Sequence, residues 1–368
     1  MSRAPAPERR RLVAVNPLPW VAGGETTLLR LLPRLSEHGW RVSMTVPARG
    51  RLSEAGEALG LPVRRLALGP PQRRTLASYA GAALAPLVLA RADVALLNGL
   101  STQRVVPALR LLRRPALLCV NNPLPEPPTA WGRRGFWSVV RGIAAASDHV
   151  AGECMQAGAP AELVHTVYPA AWDGPVAPGV AAPTPSGQRV VFVGQIEPRK
   201  GVLELIEAAR VFLADRPQAT LTVLGEAAAG GEAYAARVRE AAAHPDLEGR
   251  VRLAGFVDHA VQAMTEYDLV VVPSHEEPYG TVSAEAAAAG RSVVVCAVGG
   301  MREVVIDGET GLHVAPGDPR ALAEAVGSLL DDPDRMRAYG AEGLERADRF
   351  APERYAATMD ALLRGIAG

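Results

Sequence analysis

Two stretches of this chain hold residues suited to an anionic, polyhydroxylated ligand. The first reads VGQIEPRKG over residues 193–201, where an apolar strand pattern ends at Gly194 and Lys200–Gly201 opens a helical pattern. A helix N-terminus presents unpaired N–H groups and the positive end of its dipole, a natural seat for phosphate. A lysine there adds a compact positive charge. A lysine in a strand-to-helix loop is ordinarily a solvated charge. Here Lys200 is the only lysine among 39 basic residues, and its retention beside a helix start points to function. The second stretch, VVVPSHEEPYGTVSAEAAAAGRSVVV over residues 270–295, sets Glu277 and Glu285 eight apart in the frame E-P-Y-G-x4-E. Taken singly, Glu277 reads as a solvated loop acid and Glu285 as an acid favoured by a helix dipole. Taken together, a loop carboxylate and one in the first or second helical turn both reach a strand-end crevice. There they can act as acid and base, or bind the hydroxyls of a sugar and a ribose.

Residues 189–345 resemble the donor-binding domain of GT-B retaining glycosyltransferases of family 4, the glycosyl transferases group 1. That family's pattern runs G-R-x4-K-G, P-S-x2-E-x-F-G-x4-E-A, G-G-x2-E-V-V and T-G-L-x-V. The chain supplies Gly194–Gly201, Pro273–Ala286, Gly299–Val305 and Thr310–Val314 in that order. The N-terminal half matches more loosely, through Gly23–Gly24 ahead of a helix, a turn near the donor phosphates in the family. The resemblance implies that Lys200 binds the donor diphosphate, that Glu285 accepts hydrogen bonds from the ribose hydroxyls, and that Glu277 binds the hydroxyls of the transferred sugar. It implies that the backbone of Tyr279, Gly280, Thr281 and Val282 lies near sugar and phosphate, and that Gly255, Phe256 and Val257 sit beside the base. The final helix, Pro352–Ile366, is expected to cross back to the N-terminal domain.

The chain departs from the family pattern twice. Gln195 stands where the family carries a diphosphate-binding Arg, with Arg199 as the neighbouring candidate for the missing charge. Many members also carry a sugar-contacting His after the strand that here ends at Val120. This chain reads CVNNPLPEPP, which puts Asn121 or Asn122 in that place. An Asn can hydrogen-bond a hydroxyl but does not titrate near neutral pH, and Asn before Pro123 also suits a plain turn.

These residues need a scaffold, and the chain alternates short β-branched runs with helical patterns throughout. Strands are expected at Leu12–Asn16, Arg41–Val46, Asp93–Leu97 and Ala116–Val120. After a linker at Pro169–Gln188, more follow at Arg189–Val193, Ala219–Leu224, Arg250–Leu253, Leu269–Val272 and Ser292–Cys296. Helical periodicity lies between them, as at Glu25–Gly39, Val202–Asp215 and Ser283–Ala289, and closes the chain at Ala321–Asp331, Arg335–Arg349 and Pro352–Ile366. The pattern predicts an α/β chain of two doubly wound Rossmann-like domains, with ligands at the carboxyl ends of the strands, in a cleft between facing sheets. The expected division is an acceptor-binding domain over 1–170, joined by 352–368, and a donor-binding domain over 186–351.

Composition narrows the function classes. With 368 residues, 48% apolar and 21% charged, the chain is neither disordered nor fibrous. Its zero net charge conceals an asymmetry: residues 1–185 hold 21 Arg against 11 acids, and the rest holds 18 basic against 28 acidic residues. Arg104, Arg110, Arg113, Arg114, Arg133, Arg134 and Arg141 mark a basic N-terminal half that suits solvated helix faces, or an anionic lipid or acceptor. Aromatics are only 5%, and not interleaved with these arginines, which argues against nucleic acid. Three cysteines without CxxC or metal-ligand spacing suit a reducing compartment. Asp332-Pro-Asp334 formally spells D-x-D but reads as a helix cap, and His275 reads as a loop-shaping residue. No signal peptide or membrane span is expected. The expectation is a cytoplasmic, metal-independent, retaining hexosyltransferase-type enzyme that needs no cofactor beyond its UDP- or GDP-sugar donor and passes the sugar to an acceptor hydroxyl. A nucleotide-sugar 2-epimerase and a non-catalytic nucleotide-sugar-binding partner are the alternatives.

Overall fold

The computed structural model describes residues 10–21, 23–68, 76–124, 128–133, 135–173, 188–228 and 230–368. The chain divides into two compact units, one of residues 1–170 and 352–368 and the other of residues 171–351.

The first unit is built on seven parallel strands: β1 (Arg11–Val15), β2 (Arg41–Val46), β3 (Val63–Arg65), β4 (Val94–Asn98), β5 (Ala116–Val120), β6 (Val140–Ala145) and β7 (Val164–Thr166). They lie in the order β3-β2-β1-β4-β5-β6-β7, so the winding reverses between β1 and β4. Its helices are α1 (Gly23–Glu37), α2 (Arg51–Ala58), α3 (Leu76–Leu89), α4 (Val106–Leu111) and α5 (Asp148–Gln156). Near-continuous apolar strands, buried on both faces, are what a parallel sheet covered by helices requires. Leu12, Ala14, Val94, Leu96, Leu117 and Cys119 face the layer holding α1. Val13, Val15, Ala95, Leu97, Leu118 and Val120 face the opposite layer, with Ala85 and Leu89 of α3 and Leu109 of α4.

The second unit repeats the plan with β8 (Arg189–Val193), β9 (Thr220–Leu224), β10 (Val251–Gly255), β11 (Leu269–Val272), β12 (Ser292–Cys296) and β13 (Gly311–Val314). Their order is β10-β9-β8-β11-β12-β13, all parallel, with the reversal between β8 and β11. Around this sheet lie α6 (Val202–Phe212), α7 (Glu232–Ala242), α8 (Ala260–Met264), α9 (Thr281–Ala288), α10 (Met301–Val304), α11 (Pro319–Leu330) and α12 (Pro333–Arg346). The last helix, α13 (Pro352–Ala367), belongs to the first unit. There it packs on α1 and buries Tyr355, Met359 and Leu363, while Trp40 Nε1 donates to Asp360 at 2.6 Å.

Both units use the same clamp at the reversal. Asp93, before β4, accepts from the backbone N–H of Arg11 at 2.8 Å; Asp268, before β11, accepts from that of Arg189 at 2.8 Å. In each case the Asp N–H donates back to the carbonyl of the same arginine. The clamp sets the register of the two strands that flank each switch point.

The expected linker begins later than its proline content suggests. Ala170, Ala171 and Trp172 are buried, and the Ala171 N–H donates to the Phe350 carbonyl; residues 174–187 lie outside the described residues. The Asp332-Pro-Asp334 segment is a cap, Asp332 accepting from the Arg335 N–H at 3.0 Å. No helix among the described residues is long and apolar enough to cross a membrane.

Candidate functional site

The carboxyl edge of the second sheet is stitched into one ledge. After β8 the Gly194 N–H donates to the Leu224 carbonyl, and the Gly225 N–H after β9 donates to that of Gly255, so the ends of β8, β9 and β10 are tied to one another. The packing leaves no room for a side chain at Gly225, where a Cβ would meet the Gly194 carbonyl oxygen at 1.8 Å. Gln195 stands exposed on this ledge, and Phe256, 65% exposed, stands at its far side.

Lys200 ends a short 3-10 turn, Pro198–Lys200, and Gly201 follows in the left-handed region (φ 66°) before α6 starts. A Cβ on Gly201 would come within 2.1 Å of the Pro273 carbonyl oxygen, so glycine is required both by conformation and by close approach. That approach brings the turn against the loop that leaves β11. The His275 N–H donates to the Arg199 carbonyl at 2.8 Å, and the His275 ring meets Glu204 of α6 at 3.1 Å. His275 thus shapes the loop, as its sequence context suggests.

The consequence of this pinning is an ion pair. Lys200 Nζ lies 2.5 Å from Glu277 Oε2, with the two side chains only 14% and 12% exposed. Glu277 is itself held through its carbonyl, which accepts from the Gly300 N–H at 3.1 Å and so ties in the Gly299–Gly300 motif. The loop then passes Tyr279, buried edge-on against Phe350, and Gly280 to the start of α9 at Thr281 and Val282. Glu285, one turn into α9, is 7% exposed among alanines. A carboxylate placed there without a partner would be costly, and Glu285 does have one.

The structure thus brings Lys200, Glu277, the Tyr279–Val282 backbone and Glu285 to one strand-end region flanking the β8/β11 reversal. In open α/β sheets ligands bind at such a point. Arg199 is itself paired, its guanidinium 2.7 Å from Glu197, just as Lys200 is paired with Glu277. Among the described residues no group of three His, Cys, Asp or Glu is placed to hold a metal.

Gly23, Gly24 and Asn121 lie in the first unit, at the carboxyl edge of its own sheet. Gly23 and Gly24 open α1, and Asn121 follows β5 with its Nδ2 3.5 Å from where a Gly24 Cβ would be. Three buried residues that sequence reasoning missed complete this edge. Asn98 Nδ2 donates to Asn16 Oδ1 at 3.0 Å and lies 3.5 Å from Glu25 Oε1, and Asn16 Nδ2 donates to the Thr45 carbonyl. Asn16 and Asn98 cap the two strands at the reversal. The available signal was a polar residue ending an otherwise apolar strand.

Comparison with known proteins bears on the family and the fold. Residues 182–346 match the family model described as Glycosyl transferases group 1, so the motif resemblance holds for the second unit. A glycogen synthase of Mycobacterium tuberculosis is 40% identical over 146 residues, covering 39% of this chain and 34% of that protein. A D-inositol 3-phosphate glycosyltransferase of Kineococcus radiotolerans is 38% identical over 188 residues, covering 47% of this chain and 42% of its own. The chain therefore aligns with less than half the length of these relatives. By structure, Anabaena HepE, solved with UDP and glucose, superposes with a TM-score of 0.82 over 97% of this chain and 100% of that one, at 22% identity. The fold is accordingly GT-B, two doubly wound parallel-sheet units.

Proposed function

We propose that this chain, with its glycosyl transferases group 1 segment over residues 182–346, transfers a sugar from a nucleotide diphosphate sugar to an acceptor hydroxyl with retention at the anomeric carbon and without a divalent metal. The Lys200–Glu277 pair at the sheet's carboxyl edge carries the reading. A lone Lys⁺ would hold a diphosphate and a lone carboxylate would repel it. A pair that can separate does two jobs at once. Lys200 turns one or more of its three N–H donors to the phosphates, and the released Glu277 carboxylate accepts from sugar hydroxyls. Glu285 takes the ribose hydroxyls, the α9 N-terminus faces the phosphates, and exposed Phe256 offers a ring to the base. In the transfer step the bond from the anomeric carbon to the β-phosphate oxygen breaks, and the acceptor oxygen bonds to that carbon on the same face. The acceptor's proton passes to the departing phosphate oxygen. Lys200, helix N–H groups and backbone amides stabilise the charge that develops there. The first unit is assigned to the acceptor, while Gly23 and Gly24 keep the donor-phosphate role and Asn121 the sugar-contacting role that the family resemblance implies.

That a structural neighbour was solved with UDP and glucose favours a uridine diphosphate donor. The test is a thermal-shift panel of UDP, GDP and ADP with their sugars, followed by product analysis in EDTA. A melting-temperature rise with one nucleotide family and metal-free transfer are expected. Transfer that disappears in EDTA and returns with Mg²⁺ or Mn²⁺ contradicts the metal-free mechanism. Formation of the epimeric nucleotide-sugar with donor alone would point to a nucleotide-sugar 2-epimerase instead.

A further inference from the structure

The face of the first unit made by α3 and α4 departs from an ordinary solvated surface. The two helices pack side by side. α3 turns Ala85 and Leu89 into the core and Leu84 and Leu87, one helical turn apart, outward; these are 54% and 75% exposed. Leu111, at the end of α4, is 75% exposed. Along the sequence the charge of this stretch is strongly basic: residues 58–147 contain twelve arginines against two acids, Asp93 and Glu126. Arg91 follows the Leu84–Leu87 stripe at helical spacing, and Arg110 and Arg113 flank Leu111, all three exposed. The Arg110 guanidinium lies over Gly135, which brings the turn carrying exposed Arg133 to the same face. Arg104 and Arg114 are used structurally, on the Leu68 carbonyl and on Asp93.

We propose that this α3–α4 face docks on an anionic lipid surface, the leucines entering the acyl boundary and the arginines meeting phosphate headgroups. Exposed leucines ringed by arginine are what such a surface selects, because apolar burial and headgroup attraction add. A second copy of the chain is a poor occupant, since a two-fold contact would set Arg91, Arg110 and Arg113 against their own counterparts. A polynucleotide would use the charge but leave the leucines without a role. Placement is favourable too. Crossover helices run antiparallel to their strands, so the second half of α3 and the end of α4 lie toward the amino edge of the sheet. The carboxyl edge, with Asn16, Asn98 and Asn121, lies at the opposite end of the sheet. The inference does not depend on the transfer reading.

Vesicle flotation with the full chain tests it. Binding is expected to phosphatidylcholine vesicles containing phosphatidylglycerol, not to phosphatidylcholine alone, and should weaken as salt rises. Leu84→Ser, Leu87→Ser and Leu111→Ser combined should cost at least about tenfold, and Arg91→Gln and Arg113→Gln roughly fivefold each, with melting temperature and far-ultraviolet circular dichroism unchanged. Three results overturn the proposal. One is absence of binding to the anionic vesicles; another is equal binding to phosphatidylcholine; the third is leucine variants that bind like the parent. Binding to single-stranded DNA as tight as to vesicles, and insensitive to the leucine changes, overturns it as well, as does a leucine-dependent dimer that ignores vesicles.

Discussion

Lys200 and Glu277 share one largely buried salt bridge, so altering either leaves the other's charge uncompensated. The two substitutions therefore act in opposite directions on nucleotide binding. Lys200→Ala leaves a carboxylate facing the diphosphate, and on the proposed mechanism it lowers kcat by about 10²–10³ in addition to weakening binding. Glu277→Gln frees Lys200 for phosphate. Nucleoside diphosphate affinity by calorimetry should hold or rise while sugar transfer falls. Matching losses of affinity in both variants would contradict the shared-charge account. Glu285→Ala should weaken nucleoside diphosphate binding by about 1.5–3 kcal/mol, the range for hydrogen bonds to a charged group. Affinity for the diphosphate without its ribose should not change. Arg199 shows what residue-level reading could not settle. Its type and position suit phosphate, and in the folded chain its guanidinium rests on Glu197, two residues earlier, at 2.7 Å.

At the scale of elements, the site depends on two loops held in contact rather than on either helix alone. Gly201 lets the β8–α6 turn lie against the Pro273 carbonyl, and His275 clips the same two loops. Gly201→Ala places a Cβ 2.1 Å from that oxygen at a φ of 66°. The turn must move, at a cost of about 1–3 kcal/mol. Denaturant unfolding should register that loss, and the surviving folded fraction should bind donor more weakly because Lys200 moves with the turn. Unaltered donor affinity in Gly201→Ala would mean that the lysine is not positioned by this contact. Strand and helix patterns made these elements legible in advance: β8, β11 and β12 lie where periodicity puts them, α6 starts where expected but ends at Phe212 rather than Asp215, and α9 begins two residues early, at Thr281. Short elements such as β3, β7 and α10 were not, because three or four residues carry too little periodicity to rise above their neighbours.

At the scale of the whole molecule, the last helix returns to the first unit, and its burial is apolar. Tyr355, Ala356, Met359, Leu363 and Ile366 face a layer with Leu28, Leu31 and Leu35 of α1. Ending the chain at Ala351 uncovers that layer, so calorimetry should show the first unit's transition lowered or lost while the second unit's persists. A single unchanged transition would show that α13 is dispensable. The three cysteines test the packing of both units. Burial pushes the thiols of Cys119, Cys154 and Cys296 up to about 12, so each is protonated and enclosed at neutral pH. A thiol reagent should find no fast-reacting cysteine in the native protein and three after denaturation. One rapid native reaction would place a thiol at the surface.

The amino-acid sequence by itself determined the alternation of apolar strands and amphipathic helices, the motif order from Gly194 to Val314, and the singular Lys200. These are local properties, written in periodicity, residue type and spacing. Only the tertiary structure decided which side chains meet. It joined Lys200 to Glu277 across 77 residues and turned Arg199 onto Glu197. It also set Asn16 beside Asn98 at the reversal of the first sheet, 82 residues apart in the chain. Exposed Leu84, Leu87 and Leu111 belong to the same category, since an apolar helical residue reads as core until the packing shows which face is covered. The reason is physical. Sequence pattern specifies a strand's or helix's own conformation, but a salt bridge or an exposed patch exists only once sheet order and loop contacts bring distant residues together.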